Sequence, residues 1–187
     1  MRLTVIIGST RRGRFGPTVA NWLAQQAAKQ FEVDLVDLAA ANLPATLPDT
    51  DDETPQEVAE LSTRLAAADA FALVTPEINC SFPASLKTAL DWYYEEWHAK
   101  PVAIVSYGRE GGGSLATAQL RQVFTELQAV TIRNTVTMPC YWEQFTADGG
   151  WPKPSAGYEA AAKLMLDQLV WWAAALQDAR KRRPYQA

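Results

Sequence analysis

Residues 5–23, VIIGSTRRGRFGPTVANWL, begin as an unbroken apolar run and change character abruptly at Gly8. The run is short and rich in β-branched residues, as in a strand buried on both faces. Two hydroxyls, Ser9 and Thr10, and three arginines, Arg11, Arg12 and Arg14, follow the glycine, and from Gly16 onward Val19, Leu23 and Ala27 recur at helical spacing. A buried strand leading through a glycine turn into an amphipathic helix is the opening of a βαβ unit.

The same alternation runs on along the chain. Further strand candidates are FEVDLVDL at 31–38, AFALVT at 70–75, PVAIVSYG at 101–108 and AVTIRNTVTM at 129–138. Between and after them, helical spacing appears at Val58, Leu61 and Leu65, at Leu86 and Leu90, at Leu120, Phe124 and Leu127, and at Leu166, Leu169, Val170, Ala173 and Leu176. Strands alternating with helices require right-handed crossovers, so the expectation is an α/β fold with a five-stranded parallel sheet covered on both faces. Its expected strand order is 2-1-3-4-5. The acidic, proline-punctuated segment AAANLPATLPDTDDETP at 39–55 reads as a surface loop, since the alternation resumes after it, and residues 1–187 are expected to form one domain.

Composition removes several functional classes. A formal net charge of −4 over 187 residues gives no general attraction to nucleic acid or to an anionic membrane, and the basic tail ARKRRP reads as C-terminal helix capping and solvation. No apolar run approaches the length of a membrane span or a signal-peptide core. Cys80 and Cys140 are the only cysteines, without the spacing of a zinc site or a disulfide framework, so no metal is expected and a reducing cytoplasm fits best. His98, the only histidine, has no nucleophile at a recognisable spacing and supports no hydrolytic triad.

In an open parallel sheet, ligands sit outside the carboxyl ends of the strands where the order reverses. Unusual composition occurs at three such ends: GSTRRGRFGPT after the first strand, TPEINCSFP after the third and SYGREGGGS after the fourth. The expected order places those strands side by side, so the three loops converge. In the first loop Gly8 permits the tight exit, Pro17 suits the first helical turn, and the helix N-terminus favours an anion. Ser9 and Thr10 offer hydroxyl donors, while Arg11 and Arg14 offer paired donors to phosphate oxygens. A phosphate monoester is the natural guest; a Walker lysine and the GxGxxG spacing are both missing, which disfavours ATP and a dinucleotide here. In the third loop Gly108, Gly111, Gly112 and Gly113 allow backbone to come close to whatever the crevice holds. SFPASLKTALDW also reads as a plain helix start, with Ser81 and Pro83 near its N-terminus.

Together GSTRRGR, TPEINCSFPASLKTALDW and SYGREGGGSLATAQLR resemble the NADPH-dependent FMN reductase family of flavodoxin-like proteins, over a span from the first strand to about the fifth. The resemblance implies a flavodoxin-like three-layer sandwich that binds FMN. It puts Ser9, Arg11, Arg14, Gly16 and Thr18 around the FMN phosphate, Pro76, Glu77, Ile78 and Asn79 along the isoalloxazine edge and ribityl chain, and Ser106, Tyr107 and Gly108 on the other side of the ring. The implied cycle takes hydride from NADPH and passes electrons to a quinone, azo, nitro, flavin or similar small-molecule acceptor. No catalytic side chain is named, because hydride transfer itself needs no acid or base; Arg109 is a candidate for an NADPH phosphate.

Departures from the family pattern fall on the acceptor side. Ile78 stands where the family usually has tyrosine, Cys80 where histidine often follows, and Arg109 and Glu110 interrupt the usual glycine pair. Cys80 reads either as a redox thiol or, by preference, as inert packing. The segment CYWEQF with GGWP reads either as a flap over the ring or, by preference, as core packing of Trp142 and Phe145. Trp92, Tyr93, Trp97, Trp171 and Trp172 suggest more aromatic surface than one sheet needs, and with the resemblance they imply a homodimer or homotetramer. An FMN-binding electron carrier or flavoprotein component of a biosynthetic pathway is the alternative, the carrier being disfavoured by the arginines of the first loop and the modest net charge.

Overall fold

The computed structural model describes residues 1–48 and 53–186. Strand β1 (Arg2–Ile7) leads into helix α1 (Gly16–Ala27), and β2 (Glu32–Asp37) follows. Next come the short helix α2 (Leu38–Ala41), α3 (Gln56–Ala66), β3 (Ala70–Pro76) and α4 (Ala84–Asp91), then β4 (Pro101–Gly108) and α5 (Ser114–Glu126). The chain ends with β5 (Val130–Thr131), β6 (Val136–Pro139) and the long α6 (Tyr158–Arg182). All strand pairings of the sheet among the described residues are parallel and the order is β2-β1-β3-β4-β5, with β6 also on β4, as the alternation of strands and helices requires.

Side chains of period two sort the core into two layers. Leu3, Val5 and Ile7 of β1, Ala70, Ala72 and Val74 of β3, and Ala103 and Val105 of β4 pack under Val19 and Leu23 of α1 and Leu166 and Leu169 of α6. Ile6, Phe71, Leu73, Val102 and Ile104 point the other way, onto Leu61 and Leu65 of α3, Leu86 and Leu90 of α4, and Leu120 and Phe124 of α5. The face under α1 and α6 is built largely of alanine and valine, which lets those helices lie close to the sheet. No helix among the described residues is long and apolar enough to cross a membrane.

Three local expectations need correction. The fifth strand is not continuous: Val130 and Thr131 pair with Pro101 and Val102, whereas Val136 to Pro139 pair with Val105 to Gly108, so two extra residues bulge out between the pieces. Arg121 of α5 fills the gap, donating to Ile132 O at 2.8 Å and Arg133 O at 3.0 Å. Helix α4 ends at Asp91, and the aromatic run after it turns inward through a single 3₁₀ turn, so that Tyr93 and Trp97 are buried and contribute nothing to an exposed aromatic surface. Trp171 is the large exposed aromatic of that group, with Trp172 half-buried beside it. Of the acidic segment, residues 39–41 belong to α2, capped by the Asp37 carboxylate accepting from Ala39 N–H at 3.0 Å, and residues 49–52 lie outside the described residues.

Arg121 should therefore hold the broken strand in register. Arg121→Ala leaves two strand carbonyls without their donor, and the urea midpoint should fall by the equivalent of about 1–2 kcal/mol. An unchanged midpoint would mean that the bulge is held by its own packing.

Candidate active site

The pairings of β1 with β3 and β3 with β4 bring the ends of these strands side by side, and backbone bonds tie their loops together. Gly8 N–H donates to Val74 O at 2.9 Å and Glu77 N–H to Tyr107 O at 2.9 Å; the Ser85 hydroxyl of α4 donates to Gly8 O at 2.8 Å. The three loops singled out in the sequence thus share one edge of the sheet.

In the first loop, Thr10, Arg11 and Thr18 are exposed, Ser9 is buried and Pro17 is half-buried in the first turn of α1. Among the described residues, the N–H groups of Ser9 to Gly13 donate to no protein acceptor. Gly16 is buried where α1 meets the sheet: an added Cβ would lie 2.8 Å from Ile7 Cγ2 and 3.3 Å from the Tyr107 hydroxyl. Arg14 is turned back into the fold as an ion pair with Asp37, yet its Nε is buried without a partner. Free amides, exposed hydroxyls, two outward arginines, Arg11 and Arg12, and the inward Arg14 at the start of a twelve-residue helix make an anion cradle. These groups fit a phosphate monoester.

The second loop is firmly tied. Pro76 ends β3, and the Glu77 carboxylate accepts from Leu115 N–H at 3.0 Å and Ala116 N–H at 3.4 Å, capping α5. Ile78 is half-buried, while Asn79 and Cys80 are exposed. In the third loop the residues divide between inside and outside. Ser106 is fully buried, its hydroxyl donating to Gly112 O at 2.9 Å and accepting from Thr117 at 3.1 Å. A Cβ on Gly113 would sit 2.5 Å from Ser106 Cβ, and one on Gly112 would sit 3.0 Å from Pro139 N, so these two glycines serve the packing of the loop onto β4 and β6. Gly108 is buried as well; Arg109, Glu110 and Gly111 are exposed.

Tyr107 points beneath the first loop. Burial pushes its hydroxyl well above the ordinary tyrosine range, while the Ser9 hydroxyl and the charges of Arg14 and Arg11 pull the other way. Its ring meets Phe15 edge-on at 5.9 Å and Tyr141 at 5.1 Å. Phe15 in turn stacks on Tyr141 at 4.5 Å and meets Trp151 at 4.9 Å and Phe145 at 5.7 Å. The aromatic segment after β6 is thus anchored by Tyr141 and Trp151, and the expectation for Trp142 and Phe145 reverses: they are 49% and 40% exposed. Three residues that sequence reasoning missed hold this edge: Asp37, Phe15 and Gln119. Phe15 carried a signal, an apolar residue just before the Gly-Pro helix start; Gln119 carried none.

Other polar clusters have structural explanations. A cavity of about 830 Å³ at the opposite edge of the sheet is lined by His98, Lys100 and Arg180 among others. Lys100 Nζ caps α3 by donating to Leu65 O and Ala66 O at 2.9 Å each, and burial lowers its pKa to about 8. Arg180 donates to Ala99 O. His98 packs between Tyr94 and Tyr185 with its Nε2 unpartnered, and none of its hydrogen bonds reaches a serine or cysteine among the described residues.

The family described as NADPH-dependent FMN reductase matches residues 1–143. The chain belongs to that family. Among its relatives, an NAD(P)H-dependent FMN reductase of Schizosaccharomyces pombe is 34% identical over 148 residues, covering 74% of each protein. A 2-hydroxy-1,4-benzoquinone reductase of a Burkholderia species is 35% identical over 136 residues, covering 70% of this chain and 73% of that protein. The solved structure of FerB, a flavoenzyme NAD(P)H:acceptor oxidoreductase of Paracoccus denitrificans, superposes with a TM-score of 0.77 at 25% identity, over 93% of this chain and 97% of that one. The flavodoxin-like fold is thereby established, and with it an oxidoreductase that uses FMN with a reduced nicotinamide dinucleotide as donor.

Gly16 measures how closely α1 must approach the sheet at this edge. Gly16→Ala forces Ile7 or the helix to move and should lower stability by about 1–3 kcal/mol, read as a fall in the urea midpoint. A midpoint equal to that of the unchanged protein would show that α1 has room to spare.

Proposed function

We propose that residues 1–187 act as one FMN-binding domain in the cytoplasm, reducing quinones with electrons from NADPH, and that two or four copies assemble. FMN, when bound, would supply the redox chemistry, a two-electron exchange between the dinucleotide and the acceptor. The chain's own residues bind, orient and shield.

The observation that carries this reading is the cradle after β1: N–H groups from Ser9 to Gly13 without partners among the described residues, beside exposed Thr10, Arg11 and Thr18. There the phosphate is held by Ser9, Thr10, Arg11 and Thr18, with Arg14 contributing its charge from beneath while its Nη2 keeps the Asp37 pair. Gly16 and Pro17 set the start of α1 against the phosphate. Pro76 to Asn79 follow the ring edge and ribityl chain, with the Glu77 carboxylate engaged in capping α5, its N–H bonded to Tyr107 O and its carbonyl left to the ligand side. Ser106 and Tyr107 act from beneath, as supports for the loop, and Gly108 and Gly111 let that loop lie close to the ring. Arg109, exposed beside them, meets a phosphate of NADPH. Quinones are favoured as acceptors by the exposed aromatic faces of Trp142 and Phe145 next to the first loop, which suit a flat ring. A quinone-reducing relative supports the same class. Assembly is supported by exposed Leu164 and Trp171 on one side of α6.

Arg11 is exposed and its side chain forms no hydrogen bond or ion pair with the described residues, so its removal tests the cradle without disturbing the fold. Arg11→Ala should weaken FMN binding by about tenfold or more, since a hydrogen bond to a charged group contributes roughly 1.5–3 kcal/mol. Equal flavin affinity in the variant would place the phosphate elsewhere. Initial rates with NADPH and a quinone varied together should give parallel double-reciprocal lines, as when both use one exposed face in turn. Intersecting lines would require both to be bound at once.

A further inference from the structure

The reversal between β3 and α4 holds a conformation that its sequence does not favour. Ile78 N–H donates to Ser81 O at 2.8 Å and Ser81 N–H to Ile78 O at 2.9 Å, and both residues between them lie in the left-handed region, Asn79 at φ 49° and Cys80 at φ 61°. Two left-handed central residues define a type I′ turn, for which Asn-Gly is the preferred pair. Asparagine tolerates this conformation; a cysteine, with its Cβ, does so only when its surroundings insist. Burial does not insist here, because both residues are exposed.

A clamp from α5 does. Gln119 Nε2 donates to Cys80 O at 2.9 Å, and Gln119 Oε1 accepts from the Ser81 hydroxyl at 2.6 Å. Just upstream, Glu77 is tied to the N-terminus of the same helix through Leu115 and Ala116. The turn is therefore fixed to α5 at both ends, while the N–H groups of Asn79 and Cys80 and the Asn79 side chain donate to no acceptor among the described residues.

We propose that Gln119 is a positioning residue for electron transfer: its amide holds Cys80 in the left-handed conformation, so that the turn presents the donors of Asn79 and Cys80 in one fixed arrangement. The role rests on the placement of the flavin ring beside residues 77–79. Donors held rigidly against a flavin ring stabilise its oxidised and reduced forms unequally, so the clamp sets the relative affinity for the two forms without touching either.

A double-mutant cycle tests this. In Gln119→Ala the clamp is lost and Cys80 leaves the left-handed region. In Cys80→Gly the turn becomes Asn-Gly, which adopts type I′ unaided, so adding Gln119→Ala should then change little. Amide exchange of Ser81 in the flavin-free protein reads the turn directly and should quicken by about tenfold in Gln119→Ala and stay near the original rate in the double variant. With FMN, the ratio of Kd for oxidised to reduced flavin should shift by roughly fivefold in Gln119→Ala and return in the double variant. Unchanged exchange in Gln119→Ala, or equal losses in both backgrounds, would overturn the clamp. Exchange that follows the cycle while the flavin ratio stays fixed would overturn the role in electron transfer. A protein binding no FMN at all would overturn the functional reading beneath it, with Ser81 exchange still reporting on the turn.

Discussion

Two parallel pairings, β1 with β3 and β3 with β4, are what the rest of the structure depends on. Parallel strands leave all their carboxyl ends at one edge, and helices on both faces force the chain to return to the other edge before each new strand. Segments separated by some seventy and thirty residues in sequence are thereby neighbours in space. The core that enforces this is graded: alanines and valines under α1 and α6, and larger side chains such as Phe71, Leu73 and Ile104 under α3, α4 and α5. Close approach of α1 then puts its N-terminus beside Tyr107 and the end of β4, with only the hydrogen of Gly16 between them.

At that edge the polar groups divide into those already used and those left over. Asp37 takes one nitrogen of Arg14, Glu77 caps α5, Ser106 and Thr117 bond beneath the glycine loop, and Gln119 holds the turn. Left over are the amides of Ser9 to Gly13, the exposed side chains of Thr10, Arg11 and Thr18, and the outward donors of Asn79. The spent groups build a rigid frame and the unspent ones face outward, which is the division a preorganised binding edge needs. The cluster of Phe15, Tyr141 and Trp151 extends that frame to the far side of the first loop and leaves Trp142 and Phe145 at its rim.

Much of this was legible in the sequence, because buried parallel strands are continuous apolar runs and need only be counted. The strand order, the helical faces and the three loops follow from that alone. Side-chain direction was harder to read. Ser106 and Tyr107 sit in a motif at the site, yet the pleat of β4 turns one under the glycine loop and the other beneath α1, and a motif says nothing about pleat. Gly112 and Gly113 suggested room for a ligand, whereas the space is taken by Ser106 and Pro139. The aromatics misled in both directions: Trp97 follows a charged pair and is buried by a single 3₁₀ turn, while Trp142 and Phe145 sit in an aromatic-rich stretch and are exposed. The break in the fifth strand depends on Arg121 reaching across from α5, a contact between distant residues that no local pattern encodes.

The most direct measurement of the central claim is anaerobic reduction. The purified protein, saturated with FMN, is mixed with NADPH in the absence of oxygen while the visible absorption of the flavin is followed, and a quinone is added afterwards. The account predicts rapid bleaching with NADPH, recovery of the colour with the quinone, and stoichiometric quinol. Flavin that stays bound and coloured in the presence of NADPH would contradict it.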